Sequence, residues 1–493
     1  MRRSGILMHI TSLPGPEGIG TLGQEAYDFA DFLHSAGMTI WQMLPVGPVG
    51  YGESPYQSTS VYAGNPLLIS IRTLEKEGLV TLSAEDAYPD DNPETVCYEA
   101  VRPWKEKLLR RCYQESCFKL RDEVEAFADS NPWVRDYALF TALKEHFGGS
   151  MWTRWPDEAI RRRKKQAVAQ YEHQLKEEIS YQLFVQYLFF RQWFALKKYA
   201  NDRGILMFGD MPIYVAEDSA DTWTQPDVFQ LDRNGVPKSV AGVPPDFFSE
   251  DGQKWGNPLY RWWWLRLRGY DWWVSRMKGM AAMFDMVRID HFIGFANYCT
   301  IPYGDPNARR GRWVPGPGKA LFRKLNKAVP GLDIVAEDLG EITNRVKDLM
   351  AYTGYPGMKV MCYGFGGNHQ ENCHYPGNYK ENDVLYTGTH DNDTVLGWYS
   401  TASEEEKQAA REALSFEEAA QAPEAFVRAV MAAKCRTAVV PMQDVLGLDG
   451  SARMNYPGTI GGNWRWRMLP GKADAALAER LLTLNKETNR ERT

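Results

Sequence analysis

Three stretches of the chain put acids where chemistry can use them. Residues 283–292 form an apolar run that closes on Arg288 and Asp290. Residues 332–340 pass through Val335 and Ala336 into Glu337, and residues 383–393 lead from Val384, Leu385 and Tyr386 to Asp391. A strand sends alternate side chains to one face, so Arg288 and Asp290 are expected to point the same way, with the guanidinium holding the carboxylate ionised. A permanently charged aspartate suits a nucleophile. Glu337 is a longer acid in apolar company, where burial and neighbouring negative charge raise a carboxyl's pKa and fit it to exchange a proton. Retaining cleavage of a glycosidic bond uses such a pair about 5–5.5 Å apart. A third acid, Asp391, could hold sugar hydroxyls and oppose positive charge developing on the ring. An Arg-x-Asp strand end also occurs as a structural ion pair, so that pair decides nothing by itself.

These acids can meet only if the ends of their strands converge. Apolar runs bounded by turn residues predict strands near 5–10, 38–46, 204–213, 283–292, 332–340, 358–363, 383–393 and 438–444. Helical spacing of Ala26, Phe29, Ala30 and Leu33, and helix-like stretches at 320–328 and 403–434, alternate with them. Eight strands alternating with helices predict a (β/α)8 barrel, whose active site lies at the carboxyl ends of the strands. A mostly helical, charged segment is expected as an insertion at 74–180, between the second and third strands. Two long loops rich in aromatics, 47–65 and 214–260, are expected over the strand ends, the second as an insertion between strands three and four. After the eighth strand the chain runs into a helical, charged segment at 473–493, so no separate C-terminal β-sandwich is expected and one barrel domain spans 1–493.

Bulk properties narrow the function classes. The 493 residues carry 57 Lys plus Arg against 63 Asp plus Glu, a net charge of -6 without long single-sign blocks, which argues against nucleic acid or anionic membrane as a partner. No apolar stretch approaches the ~20 residues of a membrane helix. The N-terminus passes from Arg2 and Arg3 straight to His9 and Pro14, so no export signal is read. Seven scattered cysteines without a CxxC pair predict a reducing, cytoplasmic setting and no zinc site. The 17 tryptophans and 25 tyrosines offer faces that stack on sugar rings, although most of Trp262, Trp263, Trp264, Trp272 and Trp273 are expected in the core.

Read together, Val287-Arg288-Ile289-Asp290-His291, Val335-Ala336-Glu337-Asp338-Leu339-Gly340 and Gly388-Thr389-His390-Asp391-Asn392 resemble the catalytic motifs of the α-amylase clan. With His9-Ile10-Thr11-Ser12-Leu13-Pro14, Gly50-Tyr51-Gly52-Glu53-Ser54-Pro55-Tyr56-Gln57, Gly209-Asp210-Met211-Pro212-Ile213-Tyr214 and Gly256-Asn257-Pro258-Leu259-Tyr260, the chain resembles the clan's 4-α-glucanotransferase branch, the amylomaltases or disproportionating enzymes. Each motif is short; seven in order at barrel spacing are specific, and they span essentially the whole chain. The resemblance implies Asp290 as nucleophile, Glu337 as general acid/base and Asp391 as transition-state stabiliser. It implies supporting places for Arg288, Asp210 and His390, a donor-side place for Tyr56 with Ser54 in its motif, and a loop over the acceptor side carrying Gln253 and Trp255. Asn463, Tyr51 and Tyr98 match a second set of sugar contacts less closely. The implied substrates are maltooligosaccharides and starch- or glycogen-type α-1,4-glucans, with no cofactor or metal. His291, one position after Asp290, is expected to turn away from the mouth. Alternatives that remain are an α-glucan hydrolase of the same clan and a non-catalytic glucan-binding protein. Shielding of an intermediate by the 47–62 and 247–255 loops would favour transfer over hydrolysis.

Overall fold

The computed structural model describes residues 2–50, 52–89, 92–245 and 250–490. Its strands, in chain order, are β1 (Arg3–Leu7), β2 (Ile40–Gln42), β3 (Leu206–Met211), β4 (Ser239–Val243), β5 (Gln253–Pro258), β6 (Met286–Ile289), β7 (Asn297–Pro302), β8 (Arg312–Pro315), β9 (Asp333–Ala336), β10 (Met358–Val360), β11 (Val384–Tyr386) and β12 (Thr437–Pro441). Eight of them form one parallel sheet in the order β10-β11-β12-β1-β2-β3-β6-β9. The two ends of that order meet through a parallel bridge from Ala336 to Gly357, where the Ala336 amide donates to the Pro356 carbonyl at 2.9 Å. The sheet thus curls into a nearly closed (β/α)8 barrel. Its strands are short and buried on both faces, which is why they read as apolar runs without alternation. All eight expected barrel strands are present, with narrower limits: the second is three residues long and so is the seventh. Gly209 on β3 is needed for close approach, since a Cβ there would come within 2.5 Å of the Phe284 ring.

Between β2 and β3 the chain is helical: Ile71–Lys76, Tyr98–Ser116, Arg121–Ser130, Trp133–His146, Lys165–Gln174 and Lys176–Asp202. The last is one unbroken helix of 27 residues that crosses position 180 and delivers the chain to β3. A buried ion pair ties these helices to the β1–β2 region. Glu17 accepts from Lys105 Nζ at 2.5 Å and also from the Ser70 hydroxyl and the Ile71 amide, both at 3.1 Å. Such a pair is held by its additional hydrogen bonds, not by charge alone.

The segment expected as loop at 214–260 is partly sheet. β4 and β5 pair antiparallel, β4 continues onto β7, and β7 pairs with β8. Gly256, with φ +82°, and Pro258 hide β5 from a reading based on alternation, and its partners lie far along the chain. Trp272 and Trp273 are buried as expected, but Trp263 is 63% exposed. Among the described residues no helix is long and apolar enough to cross a membrane.

Candidate active site

The carboxyl ends of β3, β6 and β9 bring three acids to one mouth. Asp210 lies within β3, Asp290 immediately follows β6 and Glu337 immediately follows β9. The register pairs Asp210 with Arg288 across the β3–β6 ladder. The Arg288 fork then binds both aspartates: Nη1 donates to Asp210 Oδ2 at 2.6 Å and Nη2 to Asp290 Oδ1 at 2.8 Å. The expected common face of Arg288 and Asp290 is realised. Burial works against charge on Arg288, but Asp210, Asp290, Tyr56 and Glu337 together push its pKa well above the usual value. Burial raises the Asp210 carboxyl, and its contact with Arg288 pulls the other way. One oxygen of Asp210, Oδ1, is buried without a hydrogen-bond partner among the described residues, while Oδ2 also accepts from the Tyr56 hydroxyl at 2.7 Å. A buried polar atom left open on a site wall is ready for a ligand donor.

Glu337 is buried, and burial pushes its carboxyl up to about 8; Arg288 opposes the shift and the Asp290 charge adds to it. Its two oxygens accept backbone amides: Oε1 from Leu339 and Oε2 from His291, each at 2.7 Å. These bonds fix the carboxyl's orientation and leave burial as the larger influence on its proton. The amide of His291 can point there because His291 is left-handed, with φ +49°. Alternation does not govern a residue in that conformation. The His291 ring is buried and meets Trp255 of β5 edge to face, centroids 4.8 Å apart. So the His291 ring packs on Trp255 while its main chain serves Glu337.

Asp391 lies beyond β11, in the turn before helix Val395–Thr401. Its carboxyl is partly exposed; Oδ1 accepts from Asn455 Nδ2 at 2.7 Å, and Oδ2 stands 3.5 Å from His390 Nε2. The Tyr56 ring stacks on His390 at 5.2 Å and 17°, and Trp464 completes an aromatic wall 6.0 Å from Tyr56 and 5.9 Å from His390. His9, after β1, is buried beside His390; burial, with His390 adding, holds its pKa down to about 3.

The remaining expected contacts are distributed as follows. Ser54 holds its own turn, its hydroxyl accepting the Tyr56 amide at 3.3 Å. Gln253 accepts from Trp255 Nε1 at 3.1 Å, so the two share one end of β5 facing His291. Asn463 closes the 455–463 loop: Oδ1 accepts the Tyr456 amide at 3.0 Å and Nδ2 donates to the Thr459 hydroxyl at 3.0 Å. Tyr98 is buried at the start of its helix, with its hydroxyl donating to the Trp464 carbonyl at 2.9 Å. Tyr51 lies outside the described residues. Residues that the sequence reading passed over are Asn455 and Arg453, which reach Asp391 from irregular chain, and Gln42, which receives the Tyr386 hydroxyl at 2.9 Å beneath Arg288. No local pattern in the sequence marks Arg453 or Asn455, which lie 62 and 64 positions beyond Asp391. Among the described residues no group of three or more His, Cys, Asp or Glu side chains could hold a metal ion.

Two acids held by one arginine, a buried carboxyl with a raised pKa and a sugar-sized aromatic wall can carry acid/base and nucleophilic chemistry at a glycosidic bond. Residues 8–472 match the family described as 4-alpha-glucanotransferase. The chain is 46% identical to the 4-alpha-glucanotransferase of Thermus thermophilus, with 99% of each chain covered. It is 42% identical to that of Clostridium butyricum, covering 97% of this chain and 99% of the relative. Among solved structures it superposes on the amylomaltase from Streptococcus agalactiae in complex with acarbose with a TM-score of 0.97, at 41% identity and full coverage of both. The amylomaltase from Corynebacterium glutamicum shares the fold, with a TM-score of 0.78, 18% identity, and 100% and 75% coverage.

Proposed function

This chain belongs to the 4-α-glucanotransferase family, and from that premise we propose that it works by double displacement through a covalent bond to Asp290. An α-1,4-glucan lies across the mouth with its scissile bond between Asp290 and Glu337. The Asp290 carboxylate attacks the anomeric carbon while protonated Glu337 gives its proton to the departing 4-oxygen. The fragment on the reducing-end side leaves, and the other stays as a glucosyl ester of Asp290. The 4-hydroxyl of a second glucan then enters, ionised Glu337 takes its proton, and the new oxygen displaces Asp290. Two inversions restore the α configuration and Glu337 recovers its proton.

The neighbours divide the supporting work. Arg288 keeps Asp290 aimed, and Asp210 with its open Oδ1 takes a sugar hydroxyl. Asp391 opposes the positive charge of the oxocarbenium-like transition state, with His390 beside it. Tyr56 supplies a stacking face on the donor side, Ser54 holds its turn, and Trp255 with Gln253 lines the acceptor side. Asn463 and Tyr98 shape the loop over Asp391, and Tyr51 belongs to the same outer group of sugar contacts. The reading extends to maltooligosaccharides and starch- or glycogen-type glucans, without nucleic acid or membrane partners, in a reducing compartment such as the cytoplasm. The similar S. agalactiae amylomaltase is in complex with acarbose, which fits a glucan in this cleft.

The observation that carries the proposal is the contrast between two acids at one mouth, Asp290 held by Arg288 and Glu337 buried beside them. Glu337 is pushed up to about 8 by burial, while Asp290 is bonded to Arg288. With maltotriose, the expected course is redistribution into glucose and longer maltooligosaccharides at a constant number of reducing ends. A steady rise in reducing ends refutes transfer in favour of hydrolysis. Glu337→Gln incubated with α-maltosyl fluoride, whose leaving group needs no proton, should accumulate a maltosyl adduct on the peptide carrying Asp290. An adduct on another residue would overturn the assignment of the nucleophile.

A further inference from the structure

We propose that Asn455 is the positioning residue of Asp391, a neutral clamp that fixes the carboxylate's direction while leaving its charge undiminished. The proposal rests on the reading that Asp391 opposes positive charge in the transition state. An acid in that role must be ionised, correctly aimed and unneutralised at once. A lysine or arginine bonded to its oxygens would secure the first two and cancel part of the third. An amide donor stabilises the ionised form by a hydrogen bond and brings no compensating charge. Asn455 Nδ2 donates to Asp391 Oδ1 at 2.7 Å, and Oδ2 is left toward His390.

A cation stands close by but is directed elsewhere. Arg453 Nη2 donates to the main-chain carbonyl of Asp391 at 2.8 Å and Nε to the carbonyl of Asn455 at 2.8 Å, and its ion-pair partner is Asp393 at 3.9 Å. The guanidinium therefore fastens the backbones of the clamp and of its target to each other. Its plane lies over the Tyr456 ring, 4.2 Å from the centroid.

The clamp is itself held from behind. The loop that begins at Asn455 is pinched shut at its base, with the Trp464 amide donating to the Met454 carbonyl at 2.7 Å and the Tyr456 amide to Asn463 Oδ1 at 3.0 Å. Trp464 is left-handed at φ +65°, and its carbonyl is anchored by the Tyr98 hydroxyl at 2.9 Å. Residues 456–462 beyond the pinch are exposed, whereas Asn455 is half-buried against Asp391. A side chain secured in this way can hold a ligand-free carboxylate in its working direction, so that no reorientation is needed in the transition state.

The test is a double-mutant cycle in the full-length enzyme with maltotriose, using Asn455→Leu, Asp391→Asn and the double variant, with melting curves alongside. Asn455→Leu should lower kcat roughly 10- to 100-fold, the size of one hydrogen bond to a charged group, with KM changed little. In the Asp391→Asn background the same substitution should change kcat less than about 3-fold, because contacting residues that act as a unit are non-additive. An equal loss in both backgrounds, or no loss in either, overturns the proposal. An Asp391→Asn enzyme close to wild type overturns the reading of Asp391 and the proposal with it, which separates the two failures. Asn455→Asp keeps the side chain's shape and should fold where leucine does not. Its like charge beside Asp391 should move the acid limb of kcat to higher pH, which a merely structural role would not do. An unmoved limb refutes the clamp.

Discussion

Two arginines, both fully or almost fully buried, sit at opposite ends of this barrel, and they are solvated in opposite ways. Arg288, at the mouth, faces Asp210 and Asp290 through charged bonds of 2.6 and 2.8 Å. Arg490, at the base, donates to main-chain carbonyls: Met431 at 2.6 Å, Arg3 at 2.8 Å, Ala433 and Cys435 at 2.9 Å, and Arg436 at 3.3 Å. Burial, with nearby Arg2 adding, lowers the pKa of Arg490 to about 9, so it remains a cation at neutral pH. The dipoles at the base are permanent and do not titrate, so the charge there serves to tie β1, the start of β12 and the C-terminal residues into one piece. At the mouth Nε of the arginine meets Met358 Sδ at 3.3 Å, but its two charged partners are carboxyl groups that can themselves gain or lose a proton, and an Asp210 oxygen is left open. The base surrounds its arginine with fixed main-chain dipoles. The mouth is charge-dense and incompletely satisfied, which is the state a site needs before its substrate arrives.

The largest effect expected of any single change is at the mouth. Asp290→Asn keeps the shape of the side chain and one bond to its surroundings but removes the proposed nucleophile, and kcat on maltotriose should fall by roughly 10⁴-fold or more. Its melting temperature should stay near that of wild type, since Asp290 is partly exposed and Arg288 retains Asp210. Substantial unfolding in this variant would mean that the mouth bears stability as the base does, and the contrast would dissolve.

Arg490→Leu probes the other end. Five carbonyl contacts lose their donor in a buried setting, and a cost of about 2–5 kcal/mol is expected. The measurement is a denaturant or thermal melt beside kcat per folded molecule. Stability should drop while kcat per folded molecule stays within about 2-fold, as for a change remote from the reacting atoms. A matching fall in kcat would show that the base positions the mouth.

The same contrast explains how much of the molecule could be read from its residues. The barrel was legible because parallel strands buried on both faces are apolar throughout and are punctuated by turns. Asp290 and Glu337 were legible because each stands one step beyond such a run, and Arg288 because alternation holds within β6. Where the backbone leaves those regular geometries the reading fails. His291 is left-handed, so its amide reaches Glu337 in a way no periodicity predicts. β4, β5, β7 and β8 carry glycines, prolines and half-exposed positions, and their pairing is between distant segments, so part of 214–260 passed for loop. Asn455 and Arg453 act from irregular chain, and what brings them to Asp391 is the pinched loop, a tertiary feature with no local pattern. Asn463 and Tyr98 were singled out by motif as sugar contacts, whereas their hydrogen bonds in the structure go to the loop's own main chain and to the hydroxyl of Thr459.

The effect that separates the two ends most cleanly is in the pH dependence of stability. Glu337 has a folded-state pKa of about 8 against an ordinary 4.5. Between those values the folded protein holds a proton that the unfolded chain has released, so the native state binds more protons and stability must fall as pH rises through this window. Above about pH 8 both states are ionised at this position and the decline from this group ends. Glu337→Gln is neutral throughout and escapes the decline. The melting temperature of the variant relative to wild type should therefore climb from pH 5 to pH 8 and then level off. Arg490→Leu should show a constant deficit over the same range, because Arg490 stays protonated in both states until about pH 9. Kinetics offers a parallel reading, since wild-type kcat/KM should fall as pH rises past about 8, where the acid is lost. A Glu337→Gln difference that is flat from pH 5 to 8 would mean that the backbone amides of His291 and Leu339, not burial, govern the carboxyl. The proton-donor role would then need another group.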